Sequence, residues 1–265
     1  MQSISASAEA NSAKGIPIVR CEGISKFFGG VKALDSVSVS FKAGEITALV
    51  GDNGAGKSTL LKIISGLHKH DEGKLWLGDT LVDHLTPRKA RVAGIETVHQ
   101  NLLLCDNLDI AANVVLGEEP TRFRFGPLKI IDHHASREKA RAQLDRLGTS
   151  LPDLSRPVER LSGGQRQAIA IARAIMKAHR LVILDEPTAA LGLRQTEATL
   201  EVIRRVAQTG VGVILISHNL DNVFAVADRI VALRQGRIAW DVTAAETTRE
   251  TLVAAMTGLL AAPAL

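Results

Sequence analysis

The residues Gly51-Asp52-Asn53-Gly54-Ala55-Gly56-Lys57-Ser58 fit the pattern GxxxxGK[ST]. The chemistry this spacing serves is the binding of a nucleoside triphosphate. Three glycines let the backbone curl so that several N–H groups face phosphate oxygens. A helix that follows presents its positive dipole end to the same anion. Lys57 supplies a full charge for the β- and γ-phosphates, worth about 4 kcal/mol at about 4 Å in an effective dielectric of about 20. The Ser58 hydroxyl fits a Mg²⁺ ligand, and Thr59 is counted with the phosphate-binding residues. The competing reading is a chance glycine turn ahead of a helix. The second half of the site lies in Leu181-Val182-Ile183-Leu184-Asp185-Glu186, where a buried strand ends in two acids. Asp185 can hold Mg²⁺ through water, and Glu186 can polarise a water in line with the γ-phosphate. Adjacent acids at a strand end are more often caps or surface charges; beside a phosphate loop that view becomes the minority one.

These residues need elements to position them. Glu45 to Val50, mostly apolar from Ile46 onward, reads as a fully buried strand entering the glycine turn, and Lys57 to Leu67 reads as the helix leaving it. Val37, Val39 and Phe41 alternate with Ser38, Ser40 and Lys42, and Val19 to Cys21 has the same look, so both are expected as half-buried strands. Lys74 to Leu77, Ile95 to Val98, Leu181 to Asp185 and Val211 to Ser217 are further expected strands. Gly163 to Ala178 and Leu193 to Gln208 are expected helices. From Asn101 to Arg160 no buried-strand run occurs; helical patterns fall at Leu108 to Leu116 and Ala135 to Leu147, with Phe125, Gly126 and Pro127 in the loop between them. Arg229 to Leu233 and Arg237 to Trp240 read as a closing hairpin around Gln235-Gly236, and Glu246 to Thr257 as a last helix. Strand–helix alternation of this kind predicts an α/β fold with a mostly parallel sheet. No internal repeat is found, so the motifs amount to one nucleotide site.

Leu161-Ser162-Gly163-Gly164-Gln165 decides among families. By itself it is a Ser-capped helix start. In order with the two motifs above, it makes the chain resemble the ABC-transporter ATPases from about Ile18 to Trp240. The resemblance implies a P-loop NTPase core of ABC type, with an N-terminal antiparallel β subdomain and an inserted α-helical subdomain. The expected divisions are a disordered tail at 1–15, the nucleotide-binding domain at 16–241 with the helical insertion at about 101–178, and a C-terminal helix and tail at 242–265. In that family the signature, here Ser162, Gly163, Gly164 and Gln165, contacts ATP held by the opposite subunit, so a head-to-tail dimer is implied. Phe28 matches the aromatic that stacks on adenine, although its neighbour Phe27 leaves a core phenylalanine as a competing reading. Gln100 matches the glutamine that senses Mg²⁺ and the attacking water, and His218 the switch histidine at the γ-phosphate. The resemblance makes Glu186, His218 and Gln100 the catalytic set, Ser58, Gln100 and Asp185 the metal set, and ATP with Mg²⁺ the ligands. One departure stands out: the family commonly has an acid after Ala189-Ala190-Leu191, and this chain has Gly192.

Gly51-Asp52-Asn53-Gly54, Gly94 to Asn101 and Thr188-Ala189-Ala190-Leu191-Gly192 look like the ATPase subunits of bacterial monosaccharide importers, especially the fructose-type ones with one nucleotide domain per chain. That likeness implies a membrane permease and, indirectly, a sugar-binding protein as partners, with the chain at the cytoplasmic face of the membrane. The alternative is a soluble ABC ATPase on ribosomes or nucleic acid. Composition weighs against it. Of 265 residues 46% are hydrophobic, the net charge is only +4 with the basic residues dispersed, and aromatics make up 3% with no Tyr, so neither a basic stripe nor a base-stacking platform is present. The two cysteines, Cys21 and Cys105, sit in no metal-binding spacing. The apolar runs are too short to span a bilayer, and the first 15 residues lack the apolar core of a signal peptide.

Overall fold

The computed structural model describes residues 17–259 apart from 126, 127, 152 and 190; the expected N-terminal tail lies outside the described residues. The chain opens with two long antiparallel strands, β1 (Pro17–Phe28) and β2 (Val31–Lys42), joined by a tight Gly29-Gly30 turn. They run well beyond the short alternating segments legible in the sequence, because register shifts along the pair break the alternation. With β4 (Glu72–Leu77) and β5 (Thr80–Val82) they form an antiparallel sheet in the order β2-β1-β4-β5.

The second sheet holds β3 (Ile46–Val50), β6 (Ile95–Val98), β9 (Leu181–Asp185), β10 (Gly212–Ile216), β11 (Arg229–Arg234) and β12 (Arg237–Thr243) in the order β12-β11-β3-β10-β9-β6. Its pairings are parallel except for the β11–β12 hairpin. Every residue of β3 and β10 is buried, as expected for central parallel strands covered on both faces. Helix α1 (Lys57–Ile64) follows β3 and shares one buried cluster with both sheets, including Leu60, Ile63, Ile64, Val37, Phe41, Ile183 and Ile214. It ends at Ile64, three residues short of the expected Leu67, and Gly66 turns the chain at a φ of +77°.

Between β6 and β9 the helices α3 (Ile110–Val115), α4 (His133–Arg146) and α5 (Gly163–Lys177) pack on the other face of the parallel sheet through Val114, Leu144, Ile169, Val182 and Leu184. Asp109 and Asp132 cap the first two by accepting the N–H groups of Ala112 and Ala135. The expected loop around Phe125 is corrected: β7 (Thr121–Phe125) pairs with β8 (Leu128–Ile131) as a two-stranded hairpin between α3 and α4. Phe123 and Ile130 sit cross-strand in it and are exposed. No buried run is legible there because the hairpin's described apolar side chains, Phe123, Ile130 and Ile131, are exposed. Three more elements were not legible: β5, α2 (Pro87–Val92) and α7 (Leu220–Val226). Each is seven residues or shorter, less than two helical turns, so it carries little periodicity. Helix α6 (Leu193–Gln208) matches its expected bounds. The last helix, α8 (Arg249–Thr257), starts later than expected, capped by Thr248 after a separate 3₁₀ turn at Ala244–Glu246. Among the described residues no helix is long and apolar enough to cross a membrane.

Candidate nucleotide site

The phosphate loop leaves β3 through Gly51 at a φ of +141°, and a Cβ there would collide with the carbonyl oxygen of Leu233 on the neighbouring strand. Gly56 at +107° has the same restriction: its Cβ would lie 2.8 Å from both Ala33 O and Leu34 Cδ2. These glycines are therefore required twice, by backbone conformation and by close approach. The loop closes on itself through Ala55 N–H donating to Asp52 O at 3.1 Å, and Gly236 N–H donates to Ala55 O at 3.0 Å. Lys57 is buried, with Nζ donating to Gly51 O at 2.6 Å and Asp52 O at 3.0 Å. Burial holds its ammonium below the usual lysine pKa, opposed by the charges of Glu186, Asp52 and Asp185.

Parallel pairing of β9 with β10 sets Asp185 beside Ile216, so the turns leaving the two strands lie side by side. Glu186 takes the left-handed backbone conformation, φ +51°, and its N–H donates to Ile216 O at 3.1 Å. That conformation is unusual for a residue with a side chain. It aims the carboxylate at His218, whose Nε2 stands 3.4 Å from Glu186 Oε1. The contact lacks hydrogen-bond alignment, and Oε1 is a buried acceptor with no partner. Burial pushes the Glu186 carboxyl above the ordinary range, resisted by His218 and reinforced by Asp185.

One cavity of about 420 Å³ is lined by Asn53, Gly54, Ala55, Gly56, Lys57, Ser58 and Thr59 together with Gln100, Asp185, Glu186 and His218. Five separate stretches of sequence thus converge, the fifth being Ala33 of β2, which no sequence signal marked. The cavity combines a lysine and backbone N–H groups for anions, hydroxyl, amide and carboxylate oxygens suited to a hard divalent cation, and one carboxylate oxygen, Glu186 Oε1, without a hydrogen-bond partner.

Two sets of expected residues lie elsewhere. Phe28 ends β1 at 44% exposure, and Phe27 is 38% exposed, so neither is a core phenylalanine. His68 meets the Phe28 ring edge-on at 5.5 Å. Ser162 to Gln165 form a reciprocal cap at the start of α5: Gln165 N–H donates to Ser162 Oγ at 3.3 Å and Ser162 N–H to Gln165 Oε1 at 3.1 Å. Ser162, Gly164 and Gln165 border a different depression, shared with Arg194 and Gln195 of α6. Gly192 caps α6 with ordinary backbone angles, and a Cβ there would meet nothing within 4 Å, so neither strain nor space demands glycine.

The ABC transporter family model matches residues 34–189. The chain is 42% identical to the xylose/arabinose import ATP-binding protein XylG of Sulfolobus acidocaldarius, over 91% of this chain and 94% of that protein. It is 43% identical to the fructose import ATP-binding protein FrcA of Rhizobium meliloti, over 91% and 94%. The ribose import ATP-binding protein RbsA 2 of Rubrobacter xylanophilus is 42% identical over 92% of this chain, which spans 46% of that longer protein. Among solved structures, an ATP-binding cassette of an ABC transporter in its ADP conformation superposes with a TM-score of 0.76 at 28% identity, covering 91% of this chain and 95% of that one. A dimeric post-hydrolysis cassette bound to ADP and Pi gives 0.69 at 26% identity, covering 85% and 98%.

Proposed function

The chain belongs to the ABC transporter family, and we propose on that footing that it is the ATP-hydrolysing subunit of a monosaccharide importer. The observation that carries the reading is the single cavity joining the phosphate loop to Asp185, Glu186, Gln100 and His218. Lys57 and the N–H groups of the loop bind the triphosphate. Glu186 accepts the proton of the attacking water, and His218, beside it, steadies the γ-phosphate. Gln100 orients the water. Ser58, Asp185 and Gln100 are the oxygen donors that would hold Mg²⁺, which when bound screens phosphate charge. Phe28 supplies an exposed aromatic face for adenine.

The signature residues serve a second copy of the chain. Their separation from the cavity within one chain supports a head-to-tail pair in which Ser162 and Gly163 reach the partner's ATP. The permease docks at a groove of about 340 Å³ lined by Leu67, His99, Leu103, Arg173 and Lys177. Arg173 ties that groove to the segment after Gln100 by donating to the carbonyls of Leu102 and Leu103. The helical segment 101–178 carries the motion between them, at the cytoplasmic face of the membrane, and a sugar-binding protein delivers the sugar.

Lys57→Ala tests the core of this reading, since it removes the one lysine among the described residues that line the cavity. Phosphate release is expected to disappear and nucleotide affinity to fall in a direct titration. Near-normal values in both would remove the phosphate-loop assignment.

A further inference from the structure

The strained conformation of Glu186 needs an anchor. A left-handed backbone at a non-glycine residue is strained and persists where the surroundings over-determine it. The described residues after Glu186 form a turn held by Ala189 N–H to Glu186 O at 3.1 Å and Leu191 N–H to Thr188 O at 3.3 Å. Among the described residues, one side-chain hydrogen bond reaches it from outside: Asn222 Nδ2 donates to Thr188 Oγ1 at 3.0 Å. Thr188 is buried and Asn222 half-buried.

Asn222 stands on α7, the helix that begins two residues after His218. That helix is fixed from several sides. Asn219 Oδ1 accepts the N–H groups of Asp221 and Asn222. Val223 and Val226 are buried. Arg204 of α6 donates to Ala225 O at 2.7 Å, and Arg249 of α8 pairs with Asp221 at 2.6 Å. The bond therefore fastens the turn that carries Glu186 to the rigid body that carries His218.

We propose that Asn222, through the Thr188 hydroxyl, is a positioning residue that fixes Glu186 against His218 for the hydrolytic step. The proposal rests on the reading of Glu186 as the base. Loss of the bond leaves triphosphate binding intact, because neither residue lines the cavity, and relaxes the turn so that the carboxylate leaves its productive place.

The test uses the full chain with Asn222→Ala, Thr188→Val, the double variant, Thr188→Ser and Glu186→Gln, measuring kcat, ATP affinity at equilibrium and the thermal midpoint. Misplacement of about 1 Å can cost about 100-fold, so a fall in kcat of between about 5- and 100-fold is expected for Asn222→Ala and for Thr188→Val. Affinity should stay within about twofold, the double variant should be no slower than the slower single one, and Thr188→Ser, which keeps the hydroxyl, should keep the rate. Wild-type kcat in Asn222→Ala, additive losses in the double variant, or a loss of rate that follows a lower midpoint and weaker binding would overturn the positioning role. If Glu186→Gln is inactive while Asn222→Ala turns over normally, only the positioning role falls. If Glu186→Gln turns over normally, the reading of the base falls and the proposal with it.

Discussion

Glu186 combines a left-handed backbone, a buried acceptor without a partner and a carboxyl held above its ordinary pKa. A base must be ionised, so protonation of Glu186 stops the reaction. Because burial raises its pKa, the acid limb of kcat/KM should lie above the roughly 4.3 of an unperturbed glutamate. The profile of a weakly active Glu186→Gln protein should lack that limb, and an unchanged limb would assign it to another group. The stability sign runs the other way. A carboxyl whose folded pKa exceeds its unfolded one destabilises the fold as pH rises from the unfolded value through the folded value. At neutral pH Glu186→Gln should therefore melt no lower than wild type while hydrolysis slows by about 10²- to 10⁴-fold.

At the scale of the element, the start of α5 serves packing as well as ligand contact. A Cβ at Gly164 would lie 2.9 Å from Gln195 Cβ and 3.4 Å from its Cα on α6, whereas one at Gly163 would meet Cδ2 at the tip of the Leu191 side chain at 3.0 Å. Side-chain tips yield more readily than helix backbone. Gly164→Ala should therefore lower stability by about 1–3 kcal/mol, the usual cost of overpacking, and Gly163→Ala by less. Equal denaturation midpoints for the two variants would contradict the packing account. The difference also selects Gly163 over Gly164 for charged substitutions meant to probe function, because the helix-to-helix contact survives.

At the scale of the molecule, the cavity and the signature segment lie apart in one chain, so a shared site predicts complementation. Gly163→Asp and Lys57→Ala chains, each inactive alone, should regain ATPase activity when mixed, since about half of randomly formed dimers are mixed and each holds one intact site. Crosslinking in ATP between a cysteine introduced near Ser58 and one introduced near Ser162 gives an independent check. Cys21 will not interfere: burial pushes its thiol up to about 12. Cys105 is half-exposed and would be replaced first. No rescue combined with no crosslink would reject the head-to-tail arrangement.

The contiguous motifs were legible because their chemistry is local. A phosphate loop needs a strand, a glycine turn and a helix in succession, and residues 46–64 encode all three, as Leu181 to Glu186 encode a buried strand ending in acids. The cap at Ser162 and Gln165 spans four residues and was equally readable. Tertiary structure decided what those pieces meet. The order β3-β10-β9-β6 lines up the strand ends that deliver Lys57, His218, Glu186 and Gln100 to one cavity, and no local pattern fixes that order. Long-range packing likewise decided the exposure of Phe28, the collision that restricts Gly51 and the bond from Asn222 to Thr188. Residues 17–28 and 31–42 read as short strands because bulges interrupt their alternation, and only pairing across the sheet extended them. Backbone propensity and side-chain period act over a few residues, whereas strand order and buried contacts depend on residues tens to hundreds of positions apart.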